Sequence, residues 1–368
     1  MKILFINLSA PRFTVATPDA APLGGSESAV CYLARALAAR GHGVTLAANL
    51  PQDTAGTVMG VAHVAPDALR APGFFAARAF DVIVLCNAPA AAAPVKAAAP
   101  DARILFWAHA LPDQPSMQAL HQPETKRAID AAIFVSRWQQ NEIETAFGPS
   151  HQPYVIGNGI APVFENMFAD ADALRRAKQN RAAYTATPFR GLSVLVRAMD
   201  GFDGDTNLDV FSSMGVYQGD DSDYAGLFAR AAQNPAIACH GAVAQSALAS
   251  ALRHDAFLFY PCIYRETFCT SVAEAMAAGM QIVATDLGAL RETTMGFADL
   301  VDMTMRDGGV DGDALTQHFR AAMRRAVDAF INDRGWAERL FEQSQRASRD
   351  YGWAARATAW EAALRNLV

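Results

Sequence analysis

The chain has 368 residues, 52% of them apolar and 18% charged, with a formal net charge of −6. That length suits two domains better than one hydrophobic core, and the composition is that of a globular chain without a long polar tail. The acidic balance leaves no basic excess to neutralise phosphates, which argues against a nucleic-acid partner. Residues 1–160 carry 11 basic and 11 acidic side chains, so the acidic excess lies after residue 160. A neutral first half is compatible with weak peripheral contact to an anionic membrane.

The first apolar run, residues 3–8, is too short for a signal-peptide core and reads as a first strand over residues 2–8. A helix follows over residues 26–40, where Val30, Leu33, Ala34 and Leu37 share one face and Gly41-His42-Gly43 supplies a glycine stop. Further strands are expected at 44–48, 81–86, 103–108, 131–135 and 154–156. After the turn Gly157-Asn158-Gly159 the scheme repeats, with strands at 182–186, 208–213, 237–240, 256–260 and 281–285. The tail from Gly335 is helical, with Trp353, Ala357, Trp360, Leu364 and Leu367 along one face. Alternating strands and helices predict α/β architecture with parallel sheets and right-handed crossovers. No run approaches the roughly 18 apolar residues that span a bilayer. Cys31, Cys86, Cys239, Cys262 and Cys269 sit in apolar stretches without metal-ligand spacing, and they read as small core residues of a protein in a reducing cytoplasm.

The stretch 257–294 concentrates the candidate chemistry. A buried strand leads into a loop holding Glu266, then a short helix holding Glu274, the stop Gly279, and a second strand. Two carboxylates and a helix N-terminus thus fall at the carboxyl end of a parallel strand, where open α/β sheets bind nucleotides and phosphates. An ionised carboxylate suits a vicinal diol, since both of its oxygens accept. On spacing alone, Ser271-Val-Ala-Glu274 fits a capping box at least as well. Arg190, beside Gly191 and after the strand ending near Tyr184, suits a diphosphate clamp or, more plainly, a solvated arginine. In Leu23-Gly24-Gly25-Ser26 the glycines permit close backbone approach to a ligand, while Ser26 also reads as an ordinary N-cap. No G-x-G-x-x-G fingerprint stands there, which weakens a nicotinamide-cofactor reading. His109 lies at a strand end, where a lone histidine is most often structural. Asp203-Gly-Asp205-Thr-Asn207 starts like a calcium loop, but its sixth position is Leu208 and its twelfth Met214, so no metal site is expected.

The run from Glu266 to Gly279, together with Val283-Ala-Thr-Asp-Leu-Gly288 and Glu292, resembles the E-x7-E signature of the family 4 retaining glycosyltransferases. The resemblance spans nearly the whole chain. It implies the GT-B fold, two Rossmann-like domains with parallel sheets facing a central cleft. Residues 1–160, joined by the returning helix 353–368, would bind the acceptor, and residues 161–352 would bind the nucleotide sugar. By the same resemblance Glu266, helped by amides of Thr267 and Phe268, touches the donor sugar, and Glu274 holds the ribose. Arg190 clamps the diphosphate, with Thr185 standing where many members carry arginine. Gly24 and Gly25 approach the phosphates, His109 lines the sugar pocket, and the Gly241-Ala-Val243 loop meets the base. A nucleotide-diphosphate sugar is then a co-substrate, with no cofactor and no metal. The acceptor would be a cell-envelope glycan, a lipid-linked glycan, a polysaccharide precursor or a small molecule, modified in the cytoplasm or at the inner face of the membrane. A sugar-nucleotide epimerase and a non-catalytic nucleotide-sugar-binding protein are the alternatives.

Overall fold

The computed structural model describes residues 1–368 apart from 53, 55, 304, 307 and 308. The chain divides into two compact units, one made of Met1–Gly159 with Trp353–Val368 and the other of Ile160–Gly352.

The first unit is built on eight strands: β1 (Lys2–Asn7), β2 (Gly43–Ala47), β3 (Thr57–Val58), β4 (Val61–Val64), β5 (Val82–Cys86), β6 (Arg103–Ala108), β7 (Ala131–Phe134) and β8 (Pro153–Val155). Their order across the sheet is β3-β4-β2-β1-β5-β6-β7-β8. Every pairing is parallel except β3 with β4. All five residues of β5, VIVLC, are buried, as both-face burial in a parallel sheet requires. The helix Gly25–Ala39 lies against the helix Trp353–Leu367, whose Trp353, Ala357, Trp360, Leu364 and Leu367 are all buried. Trp360 packs 6.3 Å from Phe5 and 4.7 Å from Trp107, centroid to centroid, so the last helix completes this unit's core.

The second unit contributes β9 (Gln179–Tyr184), β10 (Asn207–Val210), β11 (Ile237–Cys239), β12 (Asp255–Tyr260), β13 (Gln281–Thr285) and β14 (Asp299–Val301). They run in the order β11-β10-β9-β12-β13-β14, parallel throughout. This is a doubly wound arrangement whose strand order reverses between β9 and β12, and in the first unit the reversal falls between β1 and β5. Ligands of open α/β sheets bind beyond the carboxyl ends of the strands at such a reversal.

Three edge or near-edge strands, β3, β4 and β14, fall outside the strands expected from sequence. Cys239 corrects the expectation that every cysteine is a core residue: it is exposed because β11 is the edge of its sheet. The other four cysteines are buried. No helix among the described residues is long and apolar enough to cross a membrane.

Candidate functional site

In the second unit the sequence candidates converge on the reversal between β9 and β12. Arg190 ends a short 3-10 turn, Pro188–Arg190, directly after β9, and Gly191 then opens the helix Leu192–Met199. Only glycine fits at 191. Its φ is +123°, and a Cβ there would stand 2.1 Å from the Pro261 carbonyl oxygen. The Arg190 head is thereby turned back over the end of β12. Its Nη1 donates to Glu266 Oε1, its Nε donates to Thr187 Oγ1 at 3.2 Å, and its guanidinium lies 4.4 Å from the Tyr264 ring centre. Burial is the largest single influence on Arg190 and opposes its charge, but Glu266, Tyr260 and Tyr217 together outweigh it and hold the group protonated.

Glu266 is 6% exposed and accepts from three donors on the same oxygen: Arg190, the Tyr260 hydroxyl and, at 3.7 Å, the Cys262 thiol. Burial, with Cys262 and Glu266 adding to it, raises the Tyr260 phenol well above its ordinary range, so Tyr260 stays a donor. The backbone of Glu266 is fixed from behind. Its carbonyl accepts from Ala289 N–H at 2.8 Å, and Gly288, at φ +65°, packs so closely that a Cβ would lie 2.5 Å from that same carbonyl oxygen.

Thr267 and Phe268 lead into the helix Thr270–Ala277, whose N-cap is Cys269 at φ 78°, ψ 79° with no side-chain cap. The Phe268 carbonyl accepts from Thr293 Oγ1, and its ring meets Tyr351 edge-on at 5.3 Å. The capping-box alternative for Ser271 and Glu274 is overturned by this helix start. Ser271 is the second helical residue and donates instead to the Thr185 carbonyl at 2.7 Å. Glu274 is the fifth helical residue, beyond the first turn, and is 4% exposed. Its Oε1 accepts from Ala161 N–H at 3.1 Å. Burial raises its carboxyl to about 7, against the lowering effect of the Ala161 amide and the polar Gln245 side chain. Thr185 Oγ1 is buried with no hydrogen-bond partner. Thr187 is occupied internally, its carbonyl accepting from the Tyr184 hydroxyl at 3.0 Å. Val243 sits half-buried in the loop before the helix Gln245–Leu252.

In the first unit, Gly24 is the N-cap of Gly25–Ala39, which displaces Ser26 from that expected role into the first turn. Ser26 Oγ donates to Glu27 at 2.9 Å, and Glu27 is only 6% exposed. His109 follows β6. Its backbone N–H and that of Ala110 share Asn87 Oδ1 at 2.6 and 3.0 Å, and its Nε2 donates to Asn158 Oδ1 at 3.1 Å. The ring packs 4.5 Å from Trp107. Burial lowers its pKa to about 4, the Asn158 contact opposing this, so the imidazole is neutral with its proton on Nε2. Thus the Asn-Gly turn and His109, read separately in the sequence, form one arrangement.

Asp203, from the calcium-like loop, pairs with Arg324 at 2.8 Å. Among the described residues no three His, Cys, Asp or Glu side chains converge as a metal site. Glu27, which is buried, and Gln245, half-buried with its Oε1 shielded from solvent, escaped sequence reasoning, because nothing in their local pattern announces it.

The arrangement in the second unit can bind a polyol through Glu266 and Glu274 and an anion through Arg190. Comparisons with known proteins show the family and the fold. Residues 23–163 match the family model described as Glycosyltransferase Family 4, and residues 184–318 match Glycosyl transferases group 1. Among solved structures, sucrose-phosphate synthase from Thermosynechococcus elongatus aligns over 100% of this chain and 99% of its own, with TM-score 0.74 and 18% identity. Anabaena HepE in complex with UDP-glucose aligns over 100% of both chains, with TM-score 0.73 and 18% identity. A glycosyltransferase from Rickettsia africae covers 100% of this chain and 98% of its own, at TM-score 0.72 and 13% identity. No curated protein matches the sequence.

Proposed function

The chain belongs to the family 4 glycosyltransferases and has their GT-B fold, and from that premise we propose that it transfers a sugar, with retention, from a nucleotide-diphosphate sugar to an acceptor hydroxyl. The observation that carries this reading is the pairing of Arg190 with Glu266 at the strand-order reversal of the second unit, with Glu274 buried on the next helix. Glu266 receives hydroxyls of the donor sugar, beside the amides of Thr267 and Phe268. Glu274 receives the ribose diol. Arg190, with the Thr185 hydroxyl, receives the diphosphate. Val243 lies along the base. Gly24, Gly25 and His109 keep, as part of this proposal, the roles that the family resemblance implies for them. With its pKa lowered to about 4, His109 is neutral near pH 7.

In the reaction, the bond from the anomeric carbon to the diphosphate oxygen breaks and a bond to the acceptor oxygen forms on the same face. The acceptor's proton passes to the departing phosphate oxygen, which closes the proton balance. Positive charge grows at the anomeric carbon and negative charge on the diphosphate, and Arg190 is fixed in advance where the latter develops. Glu266 is not assigned as a covalent nucleophile, because the family resemblance implies same-face substitution instead. UDP-glucose is the first donor to test, because HepE was solved with it. A cell-envelope or lipid-linked glycan is the acceptor class we infer from the family.

The test is thermal stabilisation by UDP, GDP, ADP, CDP and dTDP, followed by turnover of the matching sugar nucleotides. A ligand at 100 times its dissociation constant adds about 2.7 kcal/mol to stability, a readily visible shift. Diphosphate release only when acceptor is present, with product of the donor's anomeric configuration, supports the proposal. Conversion of the sugar nucleotide without acceptor would make the protein an epimerase, and binding without turnover a sensor. No stabilisation by any nucleotide would overturn the reading.

A further inference from the structure

The second unit has an open cavity of about 400 Å³, and none of its lining residues is among those assigned above to the nucleotide sugar. Its size falls within the usual span of small-molecule pockets, roughly 300–1,000 Å³. It is bounded by β9, β10, the end of β11 and the last turn of the helix Gln245–Leu252. Asp209 of β10 organises it. Its Oδ2 accepts from Arg181 Nε at 3.1 Å and from Arg181 Nη2, and its Oδ1 accepts from His240 Nε2 at 2.6 Å. The His240 ring, itself exposed, stacks on Phe211 with 4.7 Å between centroids and 18° between planes. Asp255, the first residue of β12, is 2% exposed and lines the same cavity. Its Oδ1 stands 3.4 Å from Arg181 Nε, while its Oδ2 is buried without a hydrogen-bond partner among the described residues. Neighbouring Lys178 does not supply one, because its Nζ donates to the carbonyls of Leu252 and of Asp255 itself, at 2.8 and 2.7 Å. An unmatched buried polar atom of this kind needs a reason.

We infer that this cavity is a second saccharide-binding site, separate from the donor site, which takes a neutral sugar residue of a glycan. The charges around it select that class. An anion drawn to Arg181 would face Asp209 and Asp255, and a cation drawn to the carboxylates would face Arg181. A hydroxyl carries no charge and both donates and accepts. Burial, reinforced by Asp209 and opposed by Lys178 and Arg181, raises the Asp255 carboxyl to about 7, so acid and carboxylate coexist near neutral pH. A hydroxyl serves either form, accepting from the acid or donating to the carboxylate. Arg181 keeps N–H donors beyond those given to Asp209, and these suit further sugar oxygens. The apolar C–H face of a pyranose packs on the exposed ring of the Phe211–His240 pair. In a glycosyltransferase such a site retains a glycan that already carries sugars, and it favours long acceptors over short ones. The inference goes beyond the donor reading and does not depend on it.

The experiment is saturation-transfer NMR on the full chain with neutral trisaccharides of glucose, galactose, mannose or N-acetylglucosamine, each with and without excess UDP. The wild type is expected to bind at least one of them, with the signal kept when UDP is added. His240→Ala removes the exposed ring and should weaken that trisaccharide about fivefold, the scale of one aromatic contact. Asp255→Leu removes the unmatched oxygen and should weaken it further. Both variants should bind UDP as the wild type does. Melting curves confirm that each variant folds, and the exposed His240 position provides the usable case if leucine at 255 packs badly. No trisaccharide signal on the wild type, or equal signals in the wild type and the folded variants, overturns the inference. A signal abolished by UDP also overturns it, since the sugar then occupies the donor site. Binding of inorganic phosphate or spermidine in place of every trisaccharide would show the charge argument to be wrong. Failure of all nucleotides to bind, with the trisaccharide result intact, would remove the donor reading and leave this site standing.

Discussion

Glu274 holds a carboxyl in a place that disfavours its charge, and Glu274→Gln exposes what that costs the empty protein. Burial moves the group from 4.5 to about 7. At 1.36 kcal/mol per pH unit, this is worth roughly 3 kcal/mol. The unfolded chain releases the proton near pH 4.5 while the folded chain keeps it until about 7. The contribution of Glu274 to stability is therefore fully present below pH 4.5 and is lost as the pH rises through 7. Glutamine keeps the shape and has no proton to lose. The stability gap between variant and wild type should widen by about 2–3 kcal/mol from pH 5 to pH 8, in favour of the variant. For a unit of this size that is roughly 5–10 °C in melting temperature. Calorimetry at the two pH values without nucleotide reads it directly, and other titrating groups cancel in the difference. A gap that stays constant with pH would refute the reasoning. The same variant should bind nucleotide more weakly at pH 8, because a carboxamide presents one accepting oxygen in place of two.

Arg190→Ala should weaken UDP binding by tenfold or more, on the order of one charge-assisted hydrogen bond, while uridine affinity changes little. Equal losses for both would count against the diphosphate clamp. Gly191→Ala places a methyl against the Pro261 carbonyl at φ +123° and should cost roughly 3 kcal/mol or more, seen as a lowered denaturant midpoint. A variant as stable as the wild type would show that the turn relaxes freely. Trp360→Ala removes a ring packed on Phe5 and Trp107 and should destabilise the first unit by about 3–5 kcal/mol, measured by chemical denaturation.

Much of the fold was legible because both sheets are parallel and buried on both faces, so β1, β5, β6, β12 and β13 read as continuous apolar runs. The strands that escaped are short and lie at or near sheet edges, where Thr57–Val58 and Asp299–Val301 need no such run. Glu266, Glu274 and Arg190 were visible as candidates, but their relations were not. Arg190 and Glu266 are 76 positions apart and meet only because β9 and β12 are neighbours across the reversal of strand order. Ser271 and Glu274 mimic a capping box because local spacing cannot register that Cys269 adopts a left-handed backbone and starts the helix two residues early. Glu27 and Gln245 look like ordinary surface residues of helix first turns. What distinguishes them, a buried carboxylate at 27 and a shielded amide oxygen without a partner at 245, exists only after the chain has packed.

The first unit takes its last helix from the far end of the sequence, and this orders events during synthesis. Strands β1 to β8 emerge first, yet the indole that fills the space beside Phe5 and Trp107 is made only after the whole second unit. Domains generally fold as they leave the ribosome, the N-terminal one first. Here the earlier unit lacks the ring that fills its aromatic core until the later unit, continuous from Ile160 to Gly352, has been made. A nascent chain halted before Trp353 should therefore hold a finished second unit and an unfinished first one. Such a chain is the state most exposed to aggregation and to chaperones.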